Sequence, residues 1–371
     1  MVDLHARVGG FGRSRMMIQG ISGTSGVWTN VTPGDMILDP DGTPGGATNN
    51  YGCQGVFSAN LVDLPQRMYM AATYQKLWVS ENYGATWTPV TITGSNPFAD
   101  GRPNMRVAPD GSYLLTTALY PINGLSNGVW KSVDAGATWT RYSPGAPNGD
   151  DIGSIDILYS DKTRVLCSSH SDSGGGNYHF YESVDSGATW TDQGAMPNGD
   201  AHMRFISADY LLSLGGGDNG SGPGTYRGTR SGSSWPWTWS WSSVALQQHW
   251  HSDSQIFIDP VTGYIYTGGG IGIERSTNNG ASFSLIESTW SGGIVATDST
   301  IYSSASYATH GTFGPYLQSA PRSPGTSWSD DASGASGSLN NGWIHADAVT
   351  DGSRWAIVTG NWNAGAWRYI E

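Results

Sequence analysis

Charge is scarce in this chain. Only 13% of its 371 residues are Asp, Glu, Lys or Arg, and the net balance is −12. A nucleic-acid partner calls for a basic face or stripe, and none is present. No apolar run approaches the roughly 20 residues that a membrane-spanning helix needs, so no membrane partner is expected. No stretch repeats apolar residues at i, i+3, i+4 and i+7, which removes long amphipathic helices. Cysteine is nearly absent. Cys53 and Cys167 stand in different repeats, so no disulfide is expected between them, and neither has the neighbours of a thiolate metal site. The opening residues, "MVDLHARVGG", lack the apolar stretch of a secretory leader. Abundant Trp, Tyr and Gly with little Lys nevertheless lead to the expectation of a secreted, extracellular protein.

What the chain does contain is 53 Gly, 17 Trp and 18 Tyr. Short runs such as "RMYMAAT", "YIYTGGG" and "RWAIVTG" are separated by turn residues, the punctuation of short strands. An eight-residue phrase also recurs. Ser132 to Trp139 reads "SVDAGATW" and Ser183 to Trp190 reads "SVDSGATW". "SENYGATW" at Ser80 and "STNNGASF" at Ser276 are close copies, with Asn82 and Asn278 replacing Asp. Fainter echoes start at Ser22, Ser231 and Ser323, which gives seven units about every fifty residues. The clearest unit, Asn104 to Ser143, divides into four short strands: "NMRVAPDG", "SYLLTTAL", "GVWKSV" and, after the phrase, "TWTRYS". Four antiparallel strands per repeat make a propeller blade. In the phrase, Asp or Asn can accept bonds from nearby backbone N–H groups, Gly can take positive φ, and Trp can wedge between sheets.

The pattern Ser-x-Asp-x-Gly-x-Thr-Trp resembles the Asp-box, or bacterial neuraminidase repeat, of the sialidase and xyloglucanase-like propellers. That resemblance implies a β-propeller with the box on the turn between third and fourth strands, away from the active face. Asp134 and Asp185 are then structural. Propellers of this type include sialidases, xyloglucan hydrolases, assembly factors and receptor ectodomains. The chain departs from the sialidases in having no Arg-Ile-Pro triplet. Xyloglucan hydrolases of this type use two propellers in tandem, whereas this chain has residues for one. The expected fold is all-β: a single seven-bladed propeller over 1–371. The last blade is completed by an N-terminal strand at "VWTNVT" (Val27 to Thr32), which removes exposed edges. Residues 1–20 are expected to form an extra strand or a lead-in.

First strands line a propeller's axis, and their side chains alternate. This alternation is expected to turn every second residue to the channel. One ring is then Gln54, Asn104, Ser154, His202, Asp253 and His345. The next is Arg106, Asp156, Arg204, Gln255 and Asp347. Asp200, His249, His251 and Trp343 share these faces, and His170, Asp218, His310, Asn361 and Trp362 lie on loops at the same end. Polar channel residues can simply hold water. Mixed His, Arg and Asp in one concavity is also the setting for proton transfer.

Three functions suit the pattern, each with a poly- or oligosaccharide as partner. A glycoside hydrolase needs an acid and a carboxylate, for which Asp200, Asp253 and Asp347 are candidates. A polysaccharide lyase would use His202, His251 or His345 as base, with Arg106 or Arg204 against a uronate carboxylate. A glycan-binding propeller would stack sugars on Trp250, Trp343 and Trp362, with Gln54, Asn104 and Gln255 binding hydroxyls. Hydrolysis is placed first. No cofactor is expected; "HWH" (His249, Trp250, His251) with His202 or His345 is the arrangement suited to a metal ion. "GGGIGIE" opens no helix and is not a nucleotide loop. A monomer is expected.

Overall fold

Each repeat closes into one sheet. A computed structural model describes residues 20–38, 53–58, 64–72, 74–100, 104–118, 127–146, 150–169, 178–197, 201–215, 224–245, 256–269, 271–288, 293–304, 317–322, 327–330, 345–361 and 365–371. Its strands form seven sheets of four antiparallel strands. Six of these take their strands in chain order, and the seventh joins the first strand of the chain to the last three. This is the expected seven-bladed propeller. The inner strands of blades 1 to 7 are Cys53–Ser58, Met105–Val107, Ile152–Ile157, Ala201–Ser207, Ile256–Ile258, Ile294–Ala296 and Ala346–Thr350. Nearly all of the lead-in expected over 1–20 lies outside the described residues.

The ring closes where the sequence placed the closure. Strand Trp28–Asn30 pairs antiparallel with Gly365–Ile370, setting Trp28 opposite Tyr369 and Asn30 opposite Trp367. The approach to this strand is tied down on the seventh blade. Asp351 Oδ2 accepts from Ile21 N at 2.7 Å, and Arg354 donates to Ile21 O at 3.0 Å and Gly23 O at 2.9 Å.

A four-stranded sheet has two faces to cover, and here each face is covered by a neighbouring blade. The buried apolar side chains fall into seven clusters, each shared by two successive blades. Met68, Met70 and Trp78 of blade 1 meet Val349 and Val358 of blade 7, for example, and Leu166 and Phe180 of blade 3 meet Met203 and Phe205 of blade 4. The hydrophobic effect therefore acts between blades, at roughly 25 cal/mol for each Å² buried.

The box turns fasten the outer part of each interface. In blade 2, Ser132 Oγ donates to Asp134 Oδ1 (2.8 Å) and accepts from Gly136 N (2.8 Å). Asp134 in turn accepts from Thr138 N (2.9 Å) and Thr138 Oγ1 (2.6 Å). Blade 3 repeats this with Ser183, Asp185, Gly187 and Thr189. Asn82 and Asn278 keep the Oδ1 contacts, and their Nδ2 atoms donate to Thr86 Oγ1 and Ser282 Oγ, so the hydroxyl becomes the acceptor. This reversal is why Asn replaces Asp without loss of the turn. The residue before the box Gly also has positive φ: Tyr83 at 57°, Ala135 at 57°, Ser186 at 61° and Asn279 at 55°. The sequence pattern did not signal this position.

Each box glycine presses on the preceding blade. A Cβ on Gly84 would lie 2.4 Å from Val358 Cγ2 of blade 7, and one on Gly136 2.8 Å from Leu77 Cδ2 of blade 1. The box aromatics enter the same seams, with Trp139 buried among blade 1 and 2 residues and Trp190 against the blade 2–3 cluster. Gly84→Ala is expected to lower stability by about 2–4 kcal/mol, from overpacking added to a strained φ. Gly34→Ala, in open space at an ordinary φ, is expected to change little. Urea unfolding midpoints of the two variants check this.

Candidate axial site

The inner strands stand edge-on to the axis, so their alternate side chains look at the two neighbouring blades. Alternate residues reach the channel wall as they lean towards the following blade. In blade 2, Met105 and Val107 join the core shared with blade 1, while Asn104 and Arg106 reach towards blade 3. Blades 3, 4 and 7 divide in the same way. The polar residues thus lean across the seam ahead of them, at the wall of the channel.

There they hold the next blade. Asn104 Nδ2 donates to Gly153 O at 3.3 Å, and Arg106 Nε to Asp156 Oδ1 at 3.1 Å, both across the blade 2–3 seam. Ser154 Oγ accepts from Met203 N at 3.2 Å, and Asp156 Oδ2 from Phe205 N at 2.9 Å, across the seam with blade 4. Arg204 donates to Ile256 O of blade 5 at 2.5 Å. In blade 7, His345 Nδ1 lies 2.7 Å from Val56 O, and Asp347 Oδ2 accepts from Ser58 N at 2.6 Å, both in blade 1. Every one of these bonds runs from a blade to its successor. The corresponding forward-facing residues of blades 1, 5 and 6 are Phe57, Phe257 and Val295, which pack into apolar clusters. The belt is therefore polar at blades 2 to 4 and at blade 7, and apolar at blades 5 and 6 and at blade 1.

A cavity of about 730 Å³ opens from this belt. Arg106, Asp156, Arg204, His345 and Asp347 line its inner end. Val107, Ile157, Phe205, Ile258, Val295 and Ala348 belong to its walls, and Tyr159, Val261 and Thr350 stand where the inner strands run out. That end is also the end of the box turns, because successive strands are antiparallel.

Burial sets the protonation of this group. Loss of water, assisted by the charges of Arg106 and Arg204 and by His202, pulls His345 down to about 3, against its bond to Val56 O. The ring is neutral at physiological pH. Nδ1 carries the hydrogen that Val56 O accepts, which makes Nε2 the basic nitrogen. Burial raises the Asp347 carboxyl, opposed by the Ser58 and Ala348 N–H groups and by Arg204. Burial likewise lowers Arg106, with Asp156 opposing and Arg204 adding to the shift.

Of the residues singled out by sequence, Asn104, Arg106, His202, Arg204, His345 and Asp347 are brought together at the belt. Asp200, His251, Asp253, Trp250, Gln255, Trp343 and Trp362 lie outside the described residues. So do His170, Asp218, His249 and His310. Gln54 belongs to the inner strand of blade 1, and its side chain is not among those described. Asp156 joins both carboxylate-facing seams and was read only as a ring member. The acceptor Val56 O and the donors Ser58 N and Phe205 N are backbone atoms, for which side-chain pattern carries no signal. Among the described residues, no three His, Cys, Asp or Glu side chains gather to hold a metal ion, and no helix is long and apolar enough to cross a membrane.

No family model matches the chain. It is 28% identical over 204 residues to a xyloglucanase of a Paenibacillus species, covering 46% of this chain and 19% of that protein. It is 27% identical over 218 residues to xyloglucanase Xgh74A of Acetivibrio thermocellus, covering 50% of this chain and 24% of that one. The chain therefore spans about a quarter or less of these relatives' length. Among solved structures, YCF48 from Cyanidioschyzon merolae aligns with a TM-score of 0.53 at 11% identity, over 92% of this chain and 98% of that one, a likeness of fold. These relatives correct the assignment to the neuraminidase-repeat family drawn from the box motif, since the sequence matches are xyloglucanases. The box could not carry that assignment, because its polar atoms are consumed within the turn.

The His345 shift has a consequence for stability. A folded-state value below the ordinary imidazole value favours the neutral fold above about pH 6.5, and this contribution is lost as pH falls towards 3. His345→Gln retains a donor for Val56 O but cannot titrate. Between pH 7 and pH 4 the wild-type protein is expected to lose more of its urea midpoint than the variant.

Proposed function

We propose that the chain is the propeller of a carbohydrate-active protein that cleaves a polysaccharide by hydrolysis. The similarity to xyloglucanases over about half of the chain supports the substrate class. The observation that carries the chemistry is that two carboxyl groups from different blades, Asp156 and Asp347, line one cavity in unlike surroundings. Asp347 is buried, with its carboxyl raised, and suits the proton donor to a leaving glycosidic oxygen. Asp156 lies against Arg106 and supplies the second carboxylate. Neutral His345 is the neighbouring acceptor for a hydroxyl or a water. Asn104 and His202, in the row before, stand past the inner end of this cavity and are the further candidates for contact with the sugar.

The protein is to be incubated with xyloglucan and with neutral and uronate-containing polysaccharides, following reducing ends and the absorbance of unsaturated uronate. Hydrolysis releases reducing ends alone. Both signals together would identify a lyase, and binding without either would identify a glycan-binding module. Asp347→Asn is expected to lower the rate about 10²–10⁴-fold while the fold is kept. Full activity in that variant would overturn the assignment of the donor.

A further inference from the structure

The walls of the axial cavity differ in character from its inner end. Beyond the belt they are mostly aliphatic and aromatic, with Ser160, Ser207, Thr350 and an Arg322 already paired with Asp259 among them, and the rim carries Tyr159 and Val261, which are 55% and 68% exposed. Exposed apolar side chains at the mouth of an apolar cavity mark a surface that gains by being covered. Its size falls within the range of small-molecule pockets, which are mostly apolar with a few placed polar groups.

The placed group here is Arg204. Among the described residues its one hydrogen-bond acceptor is Ile256 O, and no carboxylate lies within ion-pair distance of it. The other groups at the inner end are committed. Arg106 is paired with Asp156, and the Asp347 oxygens take the N–H groups of Ser58 and Ala348. A guanidinium has five N–H donors, so Arg204 retains donors for an anion. It also stands where the polar arc meets the apolar arc of blades 5 and 6, beside Phe257, Ile258 and Val295.

We propose that this cavity, opening on the box end of the propeller, is a binding site for an amphipathic carboxylate. The apolar body lies along Phe257, Ile258 and Val295, and the carboxylate is held by Arg204. The ligand would occupy the cavity whose inner end holds Asp156 and Asp347, and its binding is tested without reference to glycan cleavage.

Titration calorimetry with dodecanoate, kept below its micelle concentration, tests the proposal, with dodecan-1-ol as the uncharged control. One saturable site is expected for dodecanoate, with the alcohol at least 10-fold weaker. Arg204→Gln is expected to weaken dodecanoate 10-fold or more and to leave the alcohol unchanged. Val261→Asp, at an exposed rim position where folding is not at stake, is expected to weaken dodecanoate several-fold. Absence of saturable binding, equal binding of acid and alcohol, or unchanged dodecanoate affinity in both variants would overturn it.

Discussion

The structure depends on how one sheet meets the next. A four-stranded blade buries neither face by itself, and its inner edge would be an open strand. Seven apolar seams cover the faces, and pairing of Trp28–Asn30 with the last blade removes the break in the ring. Two polar devices then fix each seam at opposite radii. The box turns press a glycine and an aromatic back against the preceding blade, while the inner strands send side-chain bonds forward to the following one. Relative rotation of neighbouring blades would disrupt both.

This arrangement gives the axial side chains a structural use before any chemical one. A buried polar group left without a partner costs more than a typical hydrogen bond returns, so residues at the wall must first be satisfied. Asn104, Arg106, Ser154 and Asp156 meet that need at the next blade. The same bonds fix their positions, which is the support that a catalytic or binding group requires. The polar positions are confined to blades 2 to 4 and, apart from these, to blade 7, and Phe57, Phe257 and Val295 complete the ring. A cavity with such unequal sides is suited to ligands that are themselves unequal.

Much of the fold was legible because its signals are local. The box phrase repeats with the blade, its Asp or Asn and Gly have turn functions, and "VWTNVT" stands where a missing strand was needed. The site was legible only in part. Alternation correctly separated Arg106 and Asp347 from Met105 and Ala346, but it could not say that the polar set faces the following blade. That direction follows from the edge-on setting of the inner strand, which is a property of the assembled ring. The family assignment failed for a related reason: a phrase used entirely within a turn reports the turn and not the chemistry at the axis.

The central claim is that forward polar bonds at the axis couple neighbouring blades. A double-mutant cycle on Arg106→Gln and Asp156→Asn, read by urea unfolding, measures it across the blade 2–3 seam. A coupling energy of about 1 kcal/mol or more is predicted for this largely buried pair. Additivity of the two substitutions would contradict the account.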